Sequence, residues 1–217
     1  MAVIVPALLE NEINILIKKI AEAIQISNLQ RMQIDFIDNS LIAGETVSID
    51  NLPLLDQRFK WEAHLMVLDP QKYFAPALRV GFNTVIIHYE SCDEDRLNSL
   101  ARELRAMNLI PALGIFPETP TVDVMNAAES FEQITLLSVT PGKQGQTMDV
   151  SALARLKELK QAFGDTKKIE LDGGVSTANI KSVADSGADY IVCGSSIFKD
   201  LSQTPADNFK LLEAALS

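Results

Sequence analysis

Four ionisable residues, Asp35, His64, His88 and Asp172, each stand near the end of a short apolar run, in MQIDFID (32–38), EAHLMV (62–67), IIHYES (86–91) and IELDGGV (169–175). They include both histidines of the chain. A strand alternates its faces residue by residue, so Gln33, Asp35 and Ile37 share one side while Met32, Ile34 and Phe36 line the other. If both faces of that strand are covered, the Asp35 carboxylate needs a partner, a metal or a ligand, because an isolated charge away from water is strongly unfavourable. Singly, each residue has an ordinary explanation: a buried histidine is often just hydrogen-bonded in a core, and an aspartate before two glycines is often a turn residue. Four of them, late in four different strands, point to one shared site.

A second group can hold an anion. TPGKQGQ (140–146), DGGV (172–175) and CGSS (193–196) are glycine-containing loops that let backbone N–H groups come close to a ligand. Each alone is compatible with a tight turn. Three in succession favour a phosphate.

The elements that must carry these residues follow from the pattern. VIVPALL precedes a helical stretch, NEINILIKKIAEAIQI, in which Ile13, Leu16, Ile17, Ile20 and Ile24 repeat at helix spacing. The alternation continues with RMQIDFID and the short IDNLPLLDQRF, then WEAHLMV and the helix PQKYFAPALRV, then TVIIHYE and DEDRLNSLARELRAM. It ends with IPALGIF and TVDVMNAAES, ITLLSVT and VSALARLKELKQAF, KKIELDG and TANIKSVADS, and DYIVCGS before ADNFKLLEAAL. Eight strand–helix units in 217 residues fit a closed α/β barrel, a single (β/α)8 TIM barrel over residues 1–217, better than an open sheet. In such a barrel the catalytic groups lie at the C-terminal strand ends, and the loops after strands six to eight are the usual phosphate site. That is where both groups of residues fall.

Composition sets the outer bounds. With 47% hydrophobic residues the chain can bury a large core, and a net charge of −10 argues against general binding to nucleic acid or an anionic membrane. Cys92 and Cys193 form no metal-binding or disulfide pattern and read as small buried residues. The start MAVIVPALLENE has neither a basic segment nor a long apolar one, and no window approaches a membrane span, so a soluble, cytoplasmic protein is expected.

Across nearly its whole length the chain resembles the ribulose-phosphate 3-epimerases. VPALL, IDFIDN, AHLMVLDP, IIHYES, SVTPGKQGQ, IELDGGV and SGADYIVCGSSIF fall in that family's order and spacing. The resemblance implies a sugar phosphate substrate, ribulose 5-phosphate interconverted with xylulose 5-phosphate, and the pentose phosphate branch of carbohydrate metabolism. It implies Asp35 and Asp172 as the acid/base pair and His64 as a ligand, with both aspartates, of a divalent metal ion such as Zn, Mn, Fe or Mg. His64, Gly142, Gly145, Gly173, Gly174, Gly194 and Ser195 would bind substrate and its phosphate, Met66 would border the site, and a homo-oligomer is expected. Inversion of a carbinol next to a ketone needs a proton removed from one face and delivered to the other, which two carboxylates on opposite walls can do.

The sequence also departs from the family. Gln33 stands where a histidine is usual, so the metal set would be Gln33, Asp35, His64 and Asp172, with an amide oxygen that favours manganese or magnesium over zinc. Ala7 replaces a serine, Asn39 a glycine, and the loop usually written PGFGGQ reads PGKQGQ. Lys143 there could contact phosphate, although an exposed loop lysine is usually just solvated. Two other readings stay open: a phosphosugar-binding barrel that has lost turnover, and lyase or decarboxylase chemistry on the same fold. The latter generally needs a lysine near the strand-two or strand-three carboxylates, and IDFIDN and AHLMVLD have none.

Overall fold

The computed structural model describes residues 2–199 and 202–217. Eight parallel strands close into a barrel in chain order: β1 (Val3–Leu8), β2 (Arg31–Ile37), β3 (Lys60–Met66), β4 (Thr84–His88), β5 (Ile110–Ile115), β6 (Gln133–Leu137), β7 (Lys168–Asp172) and β8 (Tyr190–Cys193). Around them run α1 (Ile13–Ala23), α2 (Phe74–Val80), α3 (Glu94–Ala106), α4 (Met125–Ala128), α5 (Ala152–Phe163), α6 (Ile180–Asp185), the short α7 (Ser195–Phe198) and α8 (Pro205–Leu216). Among the described residues no helix is long and apolar enough to cross a membrane.

The strand alternation sorts the core into two spaces. Met32, Ile34 and Phe36 of β2 point outwards into the apolar shell beneath the helices, where they join Trp61, Leu65, Val85 and Leu113. Residues of the other parity point inwards, and β2 and β3 pair Gln33 with Glu62 and Asp35 with His64. On α1, Leu16 is buried and Ile13 and Ile20, with Ile24 just past the helix end, pack at the edge of the shell, whereas Ile17 lies off the stripe at 36% exposure.

The second unit carries no α-helix, and the helices after β3 and β5 are shorter than their sequence pattern. The segment after β2 has no α-helix, only a 3₁₀ turn at Ile49–Asn51, so the second strand–helix unit is irregular. The stretch 70–80 opens as a 3₁₀ turn, Pro70–Tyr73, before α2, and 121–124 does the same before the single turn of α4. Pro76 is tolerated in α2 because it falls in the first turn, where backbone N–H groups have no partner in the helix anyway. Gly81 closes that helix in the left-handed region at φ 95°.

The floor of the barrel interior is polar and charged. The Arg31 guanidinium pairs with Glu62, reaches Thr84 Oγ1 at 3.3 Å and lies 4.1 Å over the Tyr190 ring. Glu170 Oε1 accepts from Gln133 at 3.1 Å and Thr135 at 2.8 Å, and both Glu62 and Glu170 are fully buried. One arginine facing two glutamates leaves a negative charge in excess unless one carboxyl keeps its proton. That group is Glu170: burial, and then the Glu62 charge, push its pKa well above the ordinary value.

A proton held by the native state and released on unfolding makes stability fall as pH rises above the ordinary carboxylate range. Glu170→Gln, which keeps the shape without the proton, should therefore unfold at a higher temperature than the parent at pH 8, with the gap closing towards pH 5. Glu62→Gln strands Arg31 and should cost about 3–5 kcal/mol. Parallel thermal-unfolding curves for Glu170→Gln and parent across that pH range would refute the shared proton.

Candidate active site

The upper end of the same interior gathers the expected chemical groups. Asp35 and His64 are neighbours because β2 and β3 pair them directly, while Asp172 ends β7, three steps around the ring. His64 Nδ1 lies 3.1 Å from Asp35 Oδ1 and 3.4 Å from Asp172 Oδ2. Gln33 sits beneath them, fully buried, and its amide nitrogen donates to Asp35 Oδ1 and Asp172 Oδ2 at 2.8 Å each. The amide therefore bridges the two carboxylates as a donor, and its own oxygen is buried without a partner.

These contacts decide the charge states. Burial alone would lower the His64 pKa, but hydrogen bonds to Asp172 and Asp35, and their charges, outweigh it and push it up to about 10. Burial raises Asp35, with the Asp172 charge adding to it and the bonds from His64 and Gln33 opposing it. His88, the fourth convergent residue, does not reach the cavity. It is fully buried behind His64, and burial holds its pKa down at about 4, so its ring is neutral. Gly114, paired with His88 across β4 and β5, leaves the space this ring fills: a Cβ there would come 2.9 Å from His88 Cε1.

Above the carboxylates lies a cavity of about 630 Å³, part of it open to solvent. Gly142, Gly145, Gly173, Gly174, Gly194 and Ser195 all line it together with Asp35, His64, Met66, Asp172 and Ala7. The turn after β7 requires its glycines. Gly173 and Gly174 have φ of 118° and 64°, and a Cβ on Gly174 would lie 2.2 Å from the Met148 backbone nitrogen. The altered loop after β6 is tied down by its own glutamines. Gln144 donates to the Leu9 carbonyl at 3.0 Å and Gln146 to Thr140 and Lys143 carbonyls at 2.6 and 2.8 Å, while Lys143 is exposed. Asn39 takes the left-handed conformation, φ 63°, that a glycine would otherwise supply.

Asp35, His64 and Asp172 each offer a ligand atom, all within 4.8 Å of one another. Two carboxylates and an imidazole suit a divalent metal ion. In the orientation observed, Gln33 turns its nitrogen to the carboxylates and its oxygen away from them, so the amide oxygen expected as a fourth ligand is not aimed at the set. The sequence alone did not reveal the amide as a bridge, because donor and acceptor ends of a glutamine are indistinguishable until neighbours are placed.

Two carboxylates converging on one imidazole at the mouth of a barrel are groups able to move protons, as a barrel isomerase requires. The sequence profile described as the Ribulose-phosphate 3 epimerase family matches residues 3–198, and the chain belongs to that family. It is 25% identical over 202 residues to the ribulose-phosphate 3-epimerase of Schizosaccharomyces pombe, covering 91% of this chain and 87% of that one. It is 27% identical over 172 residues to the cytoplasmic isoform of the enzyme from Oryza sativa, covering 77% and 75%. The crystal structure of 3-hexulose-6-phosphate synthase from Salmonella typhimurium superimposes with a TM-score of 0.76, covering 100% of this chain and 98% of that one, at 13% identity, a likeness of fold.

In metal-free protein the His64 ring should remain an imidazolium to a pH of about 10 when followed by NMR. Asp172→Asn, which removes the first of the two raising contacts, should bring its titration down. Its support of the metal-free fold is complete below the ordinary value of 6.5 and is lost as the pH passes about 10. A His64 titration near 6.5 in the parent would show that the three groups do not share charge.

Proposed function

We propose that this protein interconverts D-ribulose 5-phosphate and D-xylulose 5-phosphate by proton transfer at C3, with residues 1–217 acting as one barrel domain. The observation that carries the reading is the placement of Asp35 and Asp172 on facing strands, both hydrogen-bonded to Gln33 and both within 3.4 Å of His64, under a cavity roofed by glycine loops.

With the C3 carbon between them, one aspartate removes the proton from one face and the other delivers a proton to the opposite face. For the reverse reaction they exchange roles. A carboxyl raised by burial, as Asp35 is, holds a proton more readily than one in water and so suits the delivering role. Gln33 holds both carboxylates in orientation. Backbone N–H groups of the loops containing Gly142, Gly145, Gly173, Gly174, Gly194 and Ser195 bind the phosphate, which keeps C3 in register with the aspartates. Asp35, His64 and Asp172 are the residues that would hold a manganese, magnesium, zinc or iron ion, and the chemistry supplied on binding is Lewis-acid stabilisation of negative charge on neighbouring oxygens.

Lyase or decarboxylase chemistry is less well supported: among the described residues the only lysine lining the cavity is Lys143, on an exposed loop. The relative named as a cytoplasmic isoform supports a cytoplasmic location, and the family resemblance a homo-oligomer.

Asp35→Asn and Asp172→Asn should each lower turnover of ribulose 5-phosphate by about 10²–10⁴-fold while the fold persists. Exchange of the C3 proton with D₂O is the direct readout, since one missing carboxylate leaves at most one face exchanging. Wild-type epimerisation in either variant would end the two-base assignment. Loss of activity on chelation, restored by Mn²⁺ or Zn²⁺, is the expected metal dependence; full activity after exhaustive chelation would remove the metal from the reading, and phosphate binding without turnover under any metal would favour a non-catalytic barrel.

A further inference from the structure

Behind the site runs a buried chain of hydrogen bonds that neither proton transfer nor phosphate binding uses. His64 Nε2 and His88 Nε2 are 2.8 Å apart, and the two rings, with centroids 5.1 Å apart and 24° between planes, meet edge to edge. Two nitrogens at that distance share one proton, so one ring donates and the other accepts. His88 Nδ1 in turn lies 3.2 Å from Glu90 Oε2. The other oxygen of that carboxylate, Oε1, accepts the Phe116 backbone N–H at 2.9 Å and the Thr119 hydroxyl.

The direction of the whole chain follows from its far end. A carboxylate can only accept, so His88 must carry its proton on Nδ1 and present a lone pair at Nε2. His64 must then donate from Nε2, and that leaves its Nδ1 as the atom facing Asp35 and Asp172. We propose that Glu90 is a positioning residue which, acting through the His88 tautomer, keeps a proton of His64 on Nε2, so that Nδ1 is the nitrogen that gives up its proton to ligate a divalent metal. The inference rests on the metal-assisted reading of the site and adds to it a residue two positions beyond the end of β4, outside the cavity. Partners of this kind, which orient a ligating imidazole through its second nitrogen, typically change metal affinity by about 10–100-fold when removed.

Glu90→Gln tests the direction of the chain. Because Phe116 N–H is a donor only, the glutamine must keep its oxygen at the Oε1 position, and its NH₂ group then faces His88 Nδ1. That reverses every bond: His88 becomes the Nε2–H tautomer, and His64 must accept at Nε2 and carry its proton on Nδ1, the metal-binding atom. Long-range ¹H–¹⁵N spectra should show His88 as the Nδ1–H tautomer in the parent and the Nε2–H tautomer in Glu90→Gln. Zinc affinity, measured by chelator competition at one pH, should fall about 10–100-fold in the variant, with little change in melting temperature.

An Nε2–H tautomer of His88 in the parent overturns the proposal without any variant, so it stays testable even if Glu90→Gln fails to fold. Unchanged zinc affinity in a folded variant with an inverted tautomer also overturns it. If the parent binds no zinc, the metal role assigned to this chain of bonds falls together with the metal reading, whereas zinc binding with an Nε2–H His88 in the parent sinks this inference alone.

Discussion

Two carboxylates and an imidazole share a pocket floor that solvent scarcely enters, and an arrangement with that much charge persists only if each group neutralises another. The His64 side chain is 1% exposed and those of Asp35 and Asp172 are 13% and 18% exposed. The imidazole between the carboxylates, with the Gln33 amide bridging them from below, supplies that compensation. Much of the remaining architecture serves this contact. Barrel closure brings β7 round to face β2, the β2–β3 register places His64 beside Asp35, and the Gly173–Gly174 turn leaves the carboxylates open to a ligand from above. A one-residue slip between β2 and β3 would turn one partner into the apolar shell and leave the other charged and alone.

The barrel interior solves the same problem twice. At its floor a fixed cation, Arg31, balances one carboxylate, and the second is kept neutral by its proton. Near its mouth, among the described residues, no lysine or arginine pairs with Asp35 or Asp172, and the compensating charge is the proton of the His64 imidazolium. The floor is built to stay as it is, with Glu62 and Glu170 wholly enclosed. The mouth opens to the cavity, where Asp35 and Asp172 keep part of their surface exposed. Outside both layers, the apolar residues of opposite strand parity pack against the helices and hold the ring closed, so polar chemistry and hydrophobic stability are assigned to the two faces of the same strands.

Much of this was legible in the sequence for a physical reason. Period-two alternation reports which face a residue occupies, and it separated Gln33 and Asp35 from Met32, Ile34 and Phe36. Strand-end position then identified His64 and Asp172, and glycine pairs marked turns that a Cβ would block. The irregular second unit and the short helices were less legible, because apolar spacing reports burial, and a 3₁₀ turn can bury the same residues as a helix. The orientation of Gln33, the Arg31–Glu62–Glu170 floor and the partners of Glu90 could not be read at all. They depend on which side chains from strands distant in sequence meet inside the ring, and local pattern carries no information about that. His88 shows the limit clearly: its place at the end of β4 suggested a group in the cavity, whereas it lies behind His64, in the space that Gly114 leaves.

Gly114 bears on how such a site can change over generations. Its backbone is not in the left-handed region, so any residue is conformationally permitted there, and what forbids a side chain is only the His88 ring, 2.9 Å from where a Cβ would stand. The two positions are therefore passable in one order. An alanine at 114 arising first collides with the imidazole and is lost, but if a small residue replaces His88 first, the space opens and larger residues at 114 become neutral. Once one of them is in place, histidine cannot return to β4 by a single substitution. A lineage that discards the buried ring thus crosses a point from which the older arrangement is closed to it, and the lock is a single added methyl group.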